Sequence, residues 1–199
     1  LAPEHPFPAA VNDVEDAIKY VLNQPEEYNT LQVSVSGFSS GGTLALVALT
    51  LFPPGTFQSA IAFYPATNLA RDPGLRRSPA PNAKPRSPFW TRIFRDAYIG
   101  KMDPRDPRIS PAFADTSNYP ANMLVVTGEL DSSALESEEL AEKAKTEGAV
   151  SGRNVIIRRM KGCGHGFDKK NTDEVCVSAK DETYGLAVDI LKKIVAESS

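Results

Sequence analysis

Cysteine is scarce in this chain, with only Cys163 and Cys176 among 199 residues. Two are too few for a disulfide framework and lack metal-site spacing, so both read as ordinary packing residues and no metal is expected. Net charge is also low, 22 basic against 25 acidic side chains giving −3. A nucleic-acid binder would carry a basic face or stripe, so no nucleic-acid or other polyanionic partner is expected. No apolar run reads as a membrane span, and there is no internal repeat or low-complexity tract. Residues 1–20 hold neither an initiator Met nor a charged, then apolar, leader. Leu1 reads as mid-chain sequence, and a cytoplasmic location is only the default expectation. What remains, 41% hydrophobic and 24% charged, describes one globular domain over residues 1–199 with a sizeable core.

The chain is organised around Gly37-Phe38-Ser39-Ser40-Gly41-Gly42. Residues 31–36 before it alternate large apolar with small polar side chains, whereas Leu44, Val47, Ala48 and Leu51 after it recur at helical spacing. A strand therefore turns sharply into a helix at Ser39. Such an elbow demands flanking positions without side chains, which is the reason read here for glycine at 37 and 41. It lifts the Ser39 hydroxyl clear of the sheet as a candidate nucleophile.

Proline-punctuated residues 1–10 lead into a helix carrying Val11, Val14, Ile18, Val21 and Leu22. Further strands are predicted at 57–63, 123–127 and 155–160, with helices at 135–144 and 179–196. Strand, helix and strand alternate as a mostly parallel sheet with crossover helices requires, and function gathers at the carboxyl ends of such strands. Residues 65–120 hold ten of the sixteen prolines, and residues 71–108 hold ten Lys/Arg against four Asp. Residues 66–119 read as an insertion containing an amphipathic helix with Phe89, Trp90, Ile93, Phe94, Ala97 and Tyr98. This helix packs on the domain, covers an apolar pocket as a lid, or does both. The scattered basic excess reads as a solvated face.

A serine hydroxyl needs a neutral imidazole to take its proton and a carboxylate to orient that imidazole. The chain has two histidines. His165 follows a strand in a loop with glycine at 162, 164 and 166, whereas His5 precedes the first helix, far from any strand end. Asp131 follows the strand at 123–127 by a few residues; its nearest rival, Glu136, is expected in the next helix, facing solvent. The order Ser39, Asp131, His165 is that of the α/β-hydrolases.

Six motifs in order, Leu1-Ala-Pro-Glu-His-Pro-Phe-Pro-Ala-Ala10, the elbow, Tyr64-Pro65, Asp106-Pro-Arg-Ile-Ser-Pro111, Gly128-Glu-Leu-Asp131 and Gly164-His-Gly-Phe167, resemble the hormone-sensitive-lipase family of α/β-hydrolase esterases. The resemblance runs along essentially the whole chain. It implies an α/β-hydrolase fold and a serine carboxylic-ester hydrolase working through an acyl-enzyme on small-molecule esters of short to medium acyl chains. Ser39 would be nucleophile, His165 general base, Asp131 its orienting acid and the Ser40 N–H an oxyanion donor, with no metal or organic cofactor. The chain departs from the family in having Phe38 and Ser40 where Asp and Ala are usual, and in lacking the His-Gly-Gly loop and first strands. It therefore reads as the carboxyl-terminal two thirds of a member, expected to turn over slowly alone and to self-associate through an exposed sheet edge. The alternatives are a hydrolase-like protein that binds a small molecule without turning it over, as the related plant gibberellin receptors do, and an inactive fragment.

Overall fold

The computed structural model describes residues 2–81, 83–84, 87–170 and 173–197, with the side chain of Glu197 excepted. Leu1 of the first motif, and Asn82, Pro85 and Arg86 of the insertion, lie outside the described residues. The elements run α1 (Ala9–Leu22), β1 (Ser34–Phe38), α2 (Ser40–Leu51), β2 (Ser59–Phe63), α3 (Pro88–Ile99), β3 (Asn122–Gly128), α4 (Ala134–Glu147), β4 (Asn154–Met160) and α5 (Glu174–Glu197). The four strands are parallel in the order β1-β2-β3-β4. Each connection contains at least one helix, as parallel neighbours require.

Period-two alternation divides the core between the two sheet faces. Ala60, Ala62, Met123 and Val125 pack with Leu46 and Leu49 of α2 and Leu140 of α4. Ile61, Phe63, Leu124 and Val126 face Cys176, Ile190 and Ile194 of α5. Because β2 is covered on both faces all five of its residues are buried, whereas β1, at the sheet edge, has none. Cys163 and Cys176 are both buried and unbridged, their sulfurs 3.7 Å apart. Burial first, then this neighbour, pushes the Cys163 thiol up to about 12, the condition of a packing residue.

The first strand begins later than the alternation at 31–36 predicts and runs to Phe38, because Gly37 and Phe38 pair with Ala62 and Phe63. The last helix starts at Glu174, five residues early. Within the stretch joining β2 to β3, Ile109, Ala114 and Tyr119 join the core, while Phe89, Trp90 and Phe94 on α3 are exposed. Among the described residues no helix is long and apolar enough to cross a membrane.

Glu136 corrects the sequence expectation: it is 1% exposed, not solvent-facing. The segment after β2 folds over the first turn of α4. Thr67 Oγ1 donates to the Glu136 carbonyl (2.8 Å), Asn68 N–H to its Oε1 (3.4 Å), and Ser137 Oγ to the Pro65 carbonyl (2.7 Å). Burial raises the Glu136 carboxyl to about 7 despite the opposing pull of Arg76. Between the ordinary value of 4.5 and about 7, the folded chain holds a proton that the unfolded chain has released, so the stabilisation present at low pH is lost as pH rises. Relative to Glu136→Gln, the unmodified chain should lose roughly 2–3 kcal/mol of stability between pH 5 and pH 8. Urea unfolding of both proteins at the two pH values measures this; a difference that does not change with pH contradicts it.

Candidate active site

Three loops at the carboxyl ends of β1, β3 and β4 build the site. At the first, Ser39 adopts φ 53° and ψ −119°, a left-handed strain that a non-glycine residue holds only when its surroundings impose it. The Ser39 N–H donates to the Phe63 carbonyl (2.9 Å), and its own carbonyl accepts from the Thr43 N–H (3.0 Å). Chain reversal brings the Gly41 carbonyl so close that a Cβ on Gly37 would lie 2.2 Å from it. The space requirement is therefore real at Gly37, but at the following position the expectation needs correcting. A Cβ on Gly41 would meet nothing within 4 Å; the crowded partner is Gly42, where a Cβ would lie 3.0 Å from the Gly37 carbonyl and 3.3 Å from that of Phe63. Ser40 opens α2, so its N–H belongs to the first turn, where main-chain donors have no partner within the helix. Phe38 stacks on Phe63, ring centroids 4.6 Å apart, with Lys169 Nζ 5.0 Å above its ring.

The loops after β3 and β4 are stitched together by main-chain bonds. Glu129 N–H donates to the Met160 carbonyl (3.0 Å), Leu130 N–H to that of Cys163 (2.8 Å), and Gly162 N–H to the Glu129 carboxylate (2.9 Å). A Cβ on Gly128 would stand 2.6 Å from the Cys163 carbonyl, so this approach also needs glycine. With the loops joined, His165 Nδ1 lies 2.6 Å from Asp131 Oδ2, and its Nε2 lies 2.8 Å from Ser39 Oγ. Asp131 is buried, and its other oxygen accepts from the Ser133 N–H (3.0 Å). A carboxylate on Nδ1 fixes the proton there and leaves Nε2 as the acceptor facing the serine hydroxyl. The structure thus brings Ser39, Asp131 and His165 together and puts Ser40 beside them; His5 lies exposed before α1.

Tyr64 and Asp168 form a second polar group that sequence reasoning did not identify as functional. The Tyr64 ring packs 4.8 Å from the His165 imidazole, centroid to centroid, on a backbone with φ 41°. Its hydroxyl donates to Asp168 Oδ1 (2.5 Å), while Tyr184 and Lys169 donate to Oδ2 (2.9 and 2.8 Å). Burial alone would raise the Asp168 carboxyl, but these three donors outweigh it and hold it below the ordinary value. The available signal was the position of Asp168, three residues after His165. Arg76 was missed too: one of the cations assigned to a solvated face, it has a side chain only 8% exposed.

A cavity of about 330 Å3 opens beside Ser39 and His165, walled by Leu44, Leu69, Phe94 and Tyr98, with Thr43 and Ser133 also lining it. Among the described residues no group of three or more His, Cys, Asp or Glu could hold a metal ion.

Residues 1–169 match the family described as alpha/beta hydrolase fold, and the chain belongs to it. Its kinship lies on the hormone-sensitive-lipase side: a solved hormone-sensitive lipase from a metagenome library aligns over 96% of this chain and 63% of its own, with TM-score 0.74 and 26% identity. A hyperthermophilic esterase from the archeon Pyrobaculum calidifontis aligns at TM-score 0.79 and 30% identity over 98% of this chain and 63% of that one. Among curated proteins, the carboxylic ester hydrolase LipN of Mycobacterium tuberculosis is 31% identical over 84% of this chain and 46% of its own length. An acetyl-hydrolase of Streptomyces hygroscopicus is 32% identical over 72% and 49%. The chain spans about half the length of these curated relatives.

The crowding at the elbow predicts opposite outcomes for neighbouring glycines. Gly37→Ala should cost about 2 kcal/mol or more, because the atoms it meets are backbone. Gly41→Ala should be neutral or stabilising by up to ~1 kcal/mol, alanine being the better helix former. Urea unfolding of both variants distinguishes them, and equal losses would contradict the close approach at Gly37.

Proposed function

We propose that this chain carries the catalytic machinery of a serine carboxylic-ester hydrolase acting on small-molecule esters of short to medium acyl chains. The observation that carries the reading is the continuous chain of hydrogen bonds from Ser39 Oγ through the His165 ring to Asp131. The resemblance to proteins named as esterases and acetyl-hydrolases supports the same chemistry.

In this mechanism Ser39 Oγ attacks the ester carbonyl while His165 Nε2 takes its proton, and Asp131 holds the ring and stabilises the imidazolium that forms. The Ser40 N–H, at the positive end of α2, donates to the developing oxyanion. His165 then returns the proton to the departing alcohol, leaving an acyl-enzyme on Ser39. A water activated by the same imidazole releases the acid. Tyr64, braced by Asp168, holds one face of the ring through both half-reactions. Within residues 66–119, α3 acts as a lid that presents Phe94 and Tyr98 to the bound ester, and the edge strand β1 is the surface for self-association.

Ser39→Ala and His165→Ala should each reduce hydrolysis of 4-nitrophenyl butyrate to no more than a few per cent, because hydroxyl and base act as one unit. Asp131→Asn should also cause a large loss, since the amide favours the wrong imidazole tautomer. Labelling by a fluorophosphonate, which requires an activated serine, should disappear in the same variants. Retained turnover or labelling would move the site elsewhere. The rate should fall on the acid side through a single protonation, because the base must be neutral; a rate flat from pH 5 to 8 argues against a histidine base.

A further inference from the structure

The chemistry at Ser39 makes no use of Arg76 or Arg95, yet both line its cavity. Arg76 comes from the segment after β2, and its side chain is 8% exposed; Arg95 comes from α3 and is 25% exposed. No Asp or Glu is among the described residues lining this cavity. The carboxylates that compensate the two cations stand away from it: Asp96 beside Arg95, itself 62% exposed, and Glu136 beside Arg76. The cavity wall is therefore apolar and carries charge of one sign.

The pairing behind Arg76 is incomplete. Its Nη2 donates to the Asn68 carbonyl (2.7 Å), but its Nε stands 3.4 Å from Glu136 Oε2 without a hydrogen bond, and among the described residues neither atom has a hydrogen-bond partner. Buried guanidinium donors are normally satisfied. Arg153 illustrates the norm, with its terminal nitrogens donating to the carbonyls of Ala144, Ser117 and Tyr119. Glu136 is also a weak counter-ion, since burial holds its carboxyl at about 7 and leaves it part-protonated at neutrality. A largely buried, under-compensated guanidinium lining the same cavity as a candidate nucleophile suits a planar anion, because its fork of donors matches a carboxylate.

We propose that the cavity takes esters bearing a free carboxylate a few carbon atoms from the scissile bond, hemiesters of short dicarboxylic acids, with Arg76 binding that carboxylate and Arg95 reinforcing it. The inference rests on the reading of Ser39 as the nucleophile. The methylenes between the two carboxyl groups lie against Leu44, Leu69 and Phe94. No further covalent step is involved, since hydrolysis of the hemiester gives the diacid and the alcohol as for any ester.

The test compares ethyl hydrogen glutarate with ethyl pentanoate, matched in acyl length, by alkali uptake. The hemiester should be preferred about tenfold in kcat/KM, mostly through KM, as expected for a charge-assisted contact. That preference should fall tenfold or more in Arg76→Gln and be partly kept in Arg76→Lys. If the buried carboxylate destabilises the single variant, Arg76→Gln combined with Glu136→Gln should show the same fall. Independently of turnover, sodium glutarate should raise the unfolding temperature of the Ser39→Ala chain more than sodium chloride of equal ionic strength, and adding Arg76→Gln should abolish this effect. If 4-nitrophenyl butyrate is cleaved through Ser39 while the hemiester is not preferred and glutarate does not stabilise, the proposal is overturned and the hydrolase reading stands. If no ester is cleaved but glutarate stabilises through Arg76, the anion site stands and the hydrolase reading falls. A hemiester preference unchanged by Arg76→Gln removes Arg76 from the role.

Discussion

The hydrogen bond between Ser39 and His165 joins residues 126 positions apart in the chain, and the rest of the site depends on its being possible. The two side chains follow β1 and β4, the opposite edges of the sheet. At the usual spacing between neighbouring strands these edges stand about 14 Å apart. The gap is closed because the loop after β4 turns inward across the end of β3, held there by the carbonyls of Met160 and Cys163. That contact requires Gly128 to have no side chain. From the other side, the left-handed turn at Ser39 lifts its hydroxyl toward the ring.

Three buried carboxylates surround this junction, and their environments differ. Asp131 accepts from an imidazole and a main-chain N–H. Asp168 accepts from two tyrosines and a lysine and stays ionised below the ordinary carboxylate value. Glu136, with one long main-chain bond and a guanidinium beside it that forms no hydrogen bond with its carboxylate, is pushed up to about 7. Burial acts on both Asp168 and Glu136, and the number and alignment of donors decides which way each carboxyl shifts. The asymmetry leaves the neighbourhood of Arg76 electropositive, while Asp168 anchors the tyrosine that packs against His165.

The element order, the parallel class of the sheet and the positions of Ser39, Asp131 and His165 were all legible in the chain. Each is written in local pattern: alternation before the elbow, helical spacing after it, and glycines around a lone loop histidine. The boundaries were less legible. Residues 31–36 alternate properly, yet the ladder is set by what β2 can pair with, and it runs on through Gly37 and Phe38. Glu136 was expected to face solvent, yet it and Ser137 are buried, because the segment after β2 covers that turn of α4.

By itself, then, the sequence determined the hydrolase architecture and the chemistry available to three side chains, since both depend on residue types at short or ordered spacings. Only the tertiary structure decided which charges lose water. Arg76 and Glu136 read as solvated charges in one dimension, and Asp168 carried no reading, since nothing there distinguishes a solvated charge from a buried one. Their burial comes from segments distant in sequence closing over them, and their ionisation follows from that burial and from the donors that arrive with it.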